Sequence, residues 1–269
     1  PIYPIERLRY VARSSGADQR TVVQEAGMAL RSLRNDPTGL VVACRRIVDH
    51  HPTAGAVWVL AARGLLAPDP AAEFGAFSLA VNHDRTPDHL ADALPEGATV
   101  CVLGWPDLVA EALAARGDVR VLAVDVFGEA TGLAQRLQRS DIDIEVVSPA
   151  AVGSAAADCD LVLIEASAAG PDGVLAVAGS RAAAAVAYCS EIPVWAVVGY
   201  GRRLPAPLWQ AVLDRLDTEG QPWELQDEVL PVGTISHVVG PNGYAVGTAD
   251  LDRPECPPAP ELQIGRAHV

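Results

Sequence analysis

The 269-residue sequence contains no lysine, because all twenty of its basic residues are arginine. This absence excludes Schiff-base catalysis, a Walker-type phosphate lysine and a lysine general base. The net charge is −14 at pH 7, whereas a general nucleic-acid binder needs a basic surface. No run approaches the roughly 18 uninterrupted apolar residues of a membrane helix. We therefore expect neither DNA nor a membrane as a partner.

Cysteine is also scarce, and no metal motif is present. The five cysteines lack CxxC spacing, which predicts reduced thiols in a cytoplasmic protein. His50 and His51 are adjacent and would point about 100° apart on a helix. His83 and His89 fall in a polar connector, and His237 falls in an apolar strand. Neither the GxGxxG motif nor the Walker phosphate loop occurs, so we expect no metal and no cofactor.

Residues 1–86 carry helical signals and predict a helical N-terminal domain. Apolar residues recur at helical spacing in DQRTVVQEAGMALRSLRN, with Asp18 as the N-cap, and in PTGLVVACRRIVDHH. TAGAVWVLAARGLLA predicts a third helix that ends by Pro68. The polar segment NHDRTPDH predicts a connector to the next domain.

From residue 98 the pattern changes to short apolar runs that alternate with helical stretches. The runs are TVCVLG, VRVLAVD, DIEVVS, CDLVLIEA, PVWAVVG and TISHVV. Such runs, separated by helices of about ten residues, are typical of a parallel sheet covered on both faces. The predicted fold class is therefore α/β, with the helical domain followed by a Rossmann-like domain at 87–252. Its ligands should bind at the carboxyl ends of the strands.

The two ends of the chain predict little structure. The sequence begins at Pro1 rather than Met, and no signal peptide is visible. Residues 253–269 open with the proline-rich RPECPPAPELQ and predict a loose tail. We expect the last six residues, IGRAHV, to be an artefact, because a common sequencing-adaptor read encodes them.

Candidate binding residues follow the predicted strands. We expect the ligand-binding residues to be Gly104, Trp105, Asp125, Glu165, Ser167, Gly179, Ser180 and Arg202. Gly179 and Ser180 open a helix whose backbone N–H groups could hold an anion. Asp125 and Glu129 could form an acid–base pair, but Glu129 also suits the first turn of a helix, which is the interpretation we favour.

One long segment resembles a known family. The run DLVLIEASAAGPDGVLAVAGSRAAAAVAYCSEIPVWAVV, residues 160–198, is similar to the signature of the family of initiation factor 2B alpha, beta and delta subunits. The same family contains methylthioribose-1-phosphate isomerase and archaeal ribose-1,5-bisphosphate isomerase. Shorter similarities, in HPTAGAVWVLAARGL and LPVGTISHVVGPNG, extend the resemblance over most of residues 20–245.

The resemblance implies a helical N-terminal domain, a Rossmann-like C-terminal domain and dimerisation through the latter. In the family's isomerases, a Cys and an Asp isomerise a phosphorylated ribose without a metal. Here the catalytic Cys falls on Gly104 and the catalytic Asp on Ser167, while Cys101 lies inside a strand and should point into the core. The substrate-holding Asn-Lys pair falls on Ala176 and Val177.

Two functions follow from these departures. The first is a non-catalytic binding or regulatory protein for a sugar phosphate or nucleotide, which forms a homodimer through its C-terminal domain. The family's eukaryotic subunits also lack the isomerase pair. The alternative is a divergent aldose–ketose isomerase that uses Glu165, Ser167 or Asp107, with Arg202 and Arg203 holding phosphate. Glu165 should share one strand face with Ser167, because side chains alternate along a strand.

Overall fold

The computed structural model describes residues 18–216 and 221–263 of the chain. The N-terminal part is helical, as predicted. Its helices are α1 Gln19–Arg31, α2 Pro37–His50, α3 Gly55–Leu66, α4 Pro70–Asn82 and α5 Thr86–Ala93. The predicted N-cap is confirmed, since the Asp18 carboxylate accepts a hydrogen bond from the backbone N–H of Arg20. Such a cap satisfies an amide that a helix end leaves unpaired.

Helix α3 forms the centre of the helical region. Most of its 12 residues are buried, including Trp58 and Leu60, and it packs against α1, α2 and α4. A helix that is apolar all round is stable only inside a core. A Cβ at Gly64 would collide with the Phe74 ring, so this glycine allows α3 and α4 to approach closely.

Helix α5 corrects the predicted connector. The polar segment NHDRTPDH contains the first half of this helix, and His89 lies on it. The helix begins there because the Asp84 carboxylate accepts hydrogen bonds from both the backbone N–H and the hydroxyl of Thr86. Asp84 also accepts from the backbone N–H of Tyr200, which fixes this turn against the second part of the chain.

The second part of the chain contains every strand of the described residues. These are β1 Thr99–Leu103, β2 Arg120–Val124, β3 Asp143–Val147, β4 Leu161–Glu165, β5 Ala168–Ala169, β6 Gly173–Val177, β7 Val194–Val197, β8 Asp227–Pro231, β9 His237–Gly240 and β10 Gly243–Val246. The helices are α6 Asp107–Arg116, α7 Ala130–Gln138, α8 Val152–Ala157, α9 Ser180–Cys189, α10 Ala206–Leu216 and α11 Pro260–Gln263.

The main sheet has the strand order β10-β9-β7-β4-β1-β2-β3. All six predicted apolar runs form strands of it, and they pair in parallel. Strand β10 adds an antiparallel edge. Buried clusters on the two faces join the sheet to α6 and α7 on one side and to α8 and α9 on the other. The predicted α/β fold class is thereby confirmed.

A second sheet begins between β4 and α9, where the sequence pattern predicts no strand. It consists of β5, β6 and β8 in antiparallel pairing. Residues 166–179 therefore contain two strands. The partner that completes the sheet, β8, lies about fifty residues further along the chain, and local sequence patterns do not report such a pairing.

One buried cluster crosses residue 86, the boundary predicted between the domains. It joins α1–α4 to α10 and to residues after 253. In the described part of the chain, every helix is too short or too polar to span a bilayer. The expected artefact IGRAHV and the first 17 residues of the predicted helical domain lie outside the described residues.

The C-terminal segment is packed rather than loose, which corrects the prediction for residues 253–263. Cys256, Ala259 and Leu262 are buried in the helical core. Arg203 attaches this segment to the sheet domain: its guanidinium forms ion pairs with Asp250 and Glu255, and all three side chains are buried or nearly so. The proline content keeps the segment free of long helices, but proline does not prevent burial.

Replacing Arg203 with alanine should lower the free energy of unfolding by about 3–5 kcal/mol, because it leaves two buried carboxylates without their counter-ion. Arg253→Ala is the matched control: Arg253 is 78% exposed and reaches Asp250 at 3.6 Å, and loss of an exposed ion pair changes stability by about 1 kcal/mol or less. Urea unfolding of both variants measures the difference. Equal effects of the two substitutions would contradict the assigned role of Arg203.

Candidate functional site

A cavity of about 500 Å³ lies at the carboxyl ends of β1 and β4, the edge at which a doubly wound sheet binds ligands. Its other walls come from the start of α1, the residues that follow β1 and β2, the second sheet, the start of α9 and the loop that contains Arg202. The structure brings most of the predicted site residues together there. Those that line the cavity are Trp105, Asp107, Glu165, Ser167, Ser180 and Arg202.

Glu165, at the end of β4, is bound through both carboxylate oxygens. Oε2 accepts hydrogen bonds from the backbone N–H groups of Leu108 (2.8 Å) and Val109 (3.1 Å) in the first turn of α6. Oε1 accepts from the Arg202 guanidinium at 2.9 Å. The side chains of Glu165 and Arg202 are only 11% and 7% exposed. Both carboxylate oxygens are thus engaged, one by a helix N-terminus and the other by a guanidinium, and each of these is a favourable partner for a carboxylate.

Ser167 has different partners from Glu165, although both line the cavity. Its hydroxyl donates to the carbonyl oxygen of Leu175 at 3.2 Å, and its own carbonyl accepts from the Gln19 side chain and the Gly55 backbone. Strand β4 ends at Glu165, and the chain then turns into the second sheet. Glu165 and Ser167 therefore do not lie on one continuous strand, and they have no hydrogen-bond partner in common. Ser167 instead links the helical region to the second sheet.

The two tandem arginines do not form a phosphate clamp. Arg202 donates from Nη1 to Glu165 and to the carbonyl oxygen of Ala166. Arg203 is buried and binds Asp250 and, in the C-terminal segment, Glu255. The expectation that both arginines hold a phosphate is therefore corrected, since only Arg202 lines the cavity and its charge is already paired.

Three predicted binding residues lie beside the cavity without lining it. The Asp125 carboxylate accepts from the backbone N–H of Ala130 at 2.9 Å and so caps α7. Gly104 and Gly179 have φ of +63° and +94°, a left-handed conformation that glycine adopts without strain. Cys101 is fully buried in β1 as predicted, and a thiol contact with Cys159 together with burial raises the pKa of Cys101.

Asp107, in the first turn of α6, is a carboxyl group whose pKa the fold raises toward neutral pH. Burial and the negative charges of Glu165 and Asp18 raise the pKa of Asp107 to about 6. The Trp105 indole N–H, 2.9 Å from Oδ1, and the Arg136 guanidinium, 3.6 Å from the same oxygen, partly oppose this rise. An acid with such a pKa can take up or release a proton near neutral pH.

Several lining residues were not among the predicted ones. They are Asp18, Gln19, Phe127, Glu129, Gln226 and Asp227, of which Glu129 was considered only as an acid–base partner or helix residue. Asp18 and Gln19 come from α1, far away in sequence, and Asp18 carries a helix-cap signal that reveals nothing about a cavity. Only tertiary packing brings these residues to the strand ends.

The cavity has an acidic lining. Carboxylates of Asp18, Asp107, Glu129 and Glu165 face it, and among the described residues that line it Arg202 is the one basic side chain. Burial is also the main cause that raises the pKa of Glu129. Within the ranges 18–216 and 221–263, no group of three or more His, Cys, Asp or Glu side chains is placed to hold a metal ion.

Asp107→Asn should make the protein more stable at neutral pH. The folded-state pKa of about 6 exceeds the unfolded value of about 3.9. The native state therefore binds more protons between these values, and wild-type stability falls as the pH rises through this range. Because Asp107 is about a third exposed, screening limits the gain to the order of 1 kcal/mol.

Urea unfolding should show this gain in the free energy of unfolding at pH 7. It should show none below about pH 4, where the wild-type Asp107 is protonated and therefore neutral, as the asparagine is. Asp92→Asn is the control, since Asp92 is exposed on α5. A gain that persists at the acidic end, or that the Asp92 variant reproduces, would contradict the assigned pKa.

Comparison with solved structures gives several neighbours of one type. The translation initiation factor eIF-2B of Pyrococcus horikoshii OT3 superposes with a TM-score of 0.78 at 14% identity, covering 93% of this chain and 99% of that one. The eIF2B beta subunit of Chaetomium thermophilum gives a TM-score of 0.68 at 14% identity, covering 90% and 88%. A tetrameric eIF2B-beta2-delta2 complex from C. thermophilum gives 0.71 at 13% identity, covering 90% of each chain.

The sequence itself matches no protein-family model and no curated protein. At this low identity the structural likeness concerns the backbone and its topology. The chain has the fold of the eIF2B subunits, with an N-terminal helical region and a mostly parallel central sheet.

Proposed function

We propose that this protein is a non-catalytic binding or regulatory protein built on the eIF2B-subunit fold. The observation that carries the proposal is the state of Glu165, the carboxylate nearest to the position of the family's catalytic acid. Both of its oxygens are bound, to the first turn of α6 and to Arg202. A carboxylate whose two oxygens are both engaged by protein donors has little hydrogen-bonding capacity left for a ligand.

The two positions of the family's catalytic residues support the same conclusion. An aldose–ketose isomerisation moves a hydrogen between adjacent carbons, either as a proton carried by a base or as a hydride that shifts directly, and in both routes protein groups must move the oxygen-bound protons. Gly104 has no side chain, and the Ser167 hydroxyl is engaged with a backbone carbonyl. Cys101 is buried in β1, away from any ligand in the cavity.

The cavity is retained although these groups are not, which supports a binding role. Its volume of about 500 Å³ lies in the range of small-molecule sites. The resemblance suggests a sugar phosphate or a nucleotide as the ligand. The carboxylates of the lining can accept hydrogen bonds from sugar hydroxyls, whereas a phosphate would meet mostly like charge.

We also propose that the chain forms a homodimer through its C-terminal domain and acts in the cytoplasm. One neighbour in fold is a tetrameric eIF2B-beta2-delta2 complex, so the fold is compatible with assembly. The cysteine content, without CxxC spacing, is typical of a reducing compartment.

Asp107 supports a second candidate function. Its pKa of about 6 and its place in the cavity suit a general acid or base near neutral pH. A divergent sugar-phosphate isomerase would therefore depend on Asp107 rather than on Glu165.

Incubation with ribose-1,5-bisphosphate or methylthioribose-1-phosphate, followed by assay of the ketose product, should give no turnover above a protein-free blank, because the positions of the family's catalytic Cys and Asp hold Gly104 and Ser167. Turnover that is lost in Asp107→Asn and kept in the surface variant Asp92→Asn would replace the non-catalytic proposal with the isomerase. Circular dichroism of each variant verifies that it is folded.

A further inference from the structure

We infer that the cavity binds an unphosphorylated aromatic ring compound that carries amino or hydroxyl donors, with a nucleoside as the simplest example. This inference deepens the proposed binding function and rests on it. Three independent features of the lining carry it: the balance of charge, two exposed aromatic side chains, and a buried hydroxyl without a partner.

The negative charge of the cavity lining favours a ligand that carries hydrogen-bond donors. Asp18, Asp107 and Glu129 face the cavity, and the charge of Arg202 is paired with Glu165 at 2.9 Å. Carboxylates accept hydrogen bonds and do not donate them when ionised. A phosphate dianion placed among them would be repelled, whereas amino and hydroxyl groups would find acceptors.

Two aromatic side chains line the same cavity and remain exposed. Trp105 is 39% exposed and Phe127 is 57% exposed, and both belong to the lining. The Trp105 indole is held by its N–H bond to Asp107, and a Cβ at Gly132 would collide with the ring. The indole can therefore pack against α7 only because residue 132 has no side chain. Aromatic faces of this kind stack on planar rings, and each stacked base contributes substantially to binding.

The backbone at Phe127 is strained. Its φ of +57° is a conformation that bulky residues rarely adopt. Strain of this type persists where the surroundings enforce it, and it clusters at ligand-binding sites. The Phe127 ring is exposed and lines the same cavity as Trp105.

Ser180 adds a polar group with no partner in the described residues. Its residue is fully buried, its hydroxyl oxygen makes no hydrogen bond, and it lines the cavity at the start of α9. Buried hydroxyls in folded proteins nearly always have a partner. A donor or acceptor on a ligand in the cavity would provide it.

Isothermal titration with the matched pair adenosine and AMP tests the inference at pH 7.5 and low salt. We expect adenosine to bind at least about tenfold more tightly than AMP, because the added phosphate meets like charge. Trp105→Leu should weaken adenosine binding by about tenfold through loss of stacking. Trp223→Leu, which removes an 81% exposed tryptophan that does not line the cavity, should leave the affinity unchanged.

The outcomes separate this inference from the function on which it rests. Equal or tighter binding of AMP would overturn the inference about phosphate and leave a binding protein in place. Adenosine binding that Trp105→Leu does not weaken would overturn the aromatic site. Absence of binding by adenosine at millimolar concentration would overturn the inference, whereas the proposed function is overturned only by turnover in the isomerase assay.

Discussion

The ion pair between Glu165 and Arg202, with the first turn of α6, organises the ligand edge of this fold. It joins the end of β4, the start of α6 and the loop after β7 in one buried contact. Burying either charge alone would be strongly unfavourable, so each partner depends on the other. The contact fixes the strand ends around the cavity, and it engages both oxygens of Glu165, the carboxylate that sequence alone makes the best substitute acid.

The rest of the site follows from that arrangement. Because Arg202 is paired with Glu165, the remaining carboxylates give the cavity an acidic character. Burial, together with the negative charges of Glu165 and Asp18, raises the pKa of Asp107 to about 6. Exposed aromatic side chains at Trp105 and Phe127 then provide the apolar surface that a ligand can cover. The described residues thus form a shaped cavity whose lining is acidic and partly aromatic.

Much of the fold could be predicted from the sequence, because periodicity reports local structure directly. The six apolar runs form the parallel sheet, and Asp18 caps α1 as its position predicts. The second sheet escaped prediction, since β6 is completed by β8 from a distant segment. The C-terminal segment reads as loose because its burial depends on Arg203 and on the helical core. Most predicted site residues line the cavity, but their partners, above all that of Glu165, are tertiary contacts without a local signal.

A double-mutant cycle of Glu165→Gln and Arg202→Met, read by urea unfolding, tests the central claim most directly. A buried structural ion pair should give a coupling free energy of about 2 kcal/mol or more. Effects of the two substitutions that add to within about 0.5 kcal/mol would show independent side chains, and Glu165 would again be available for catalysis.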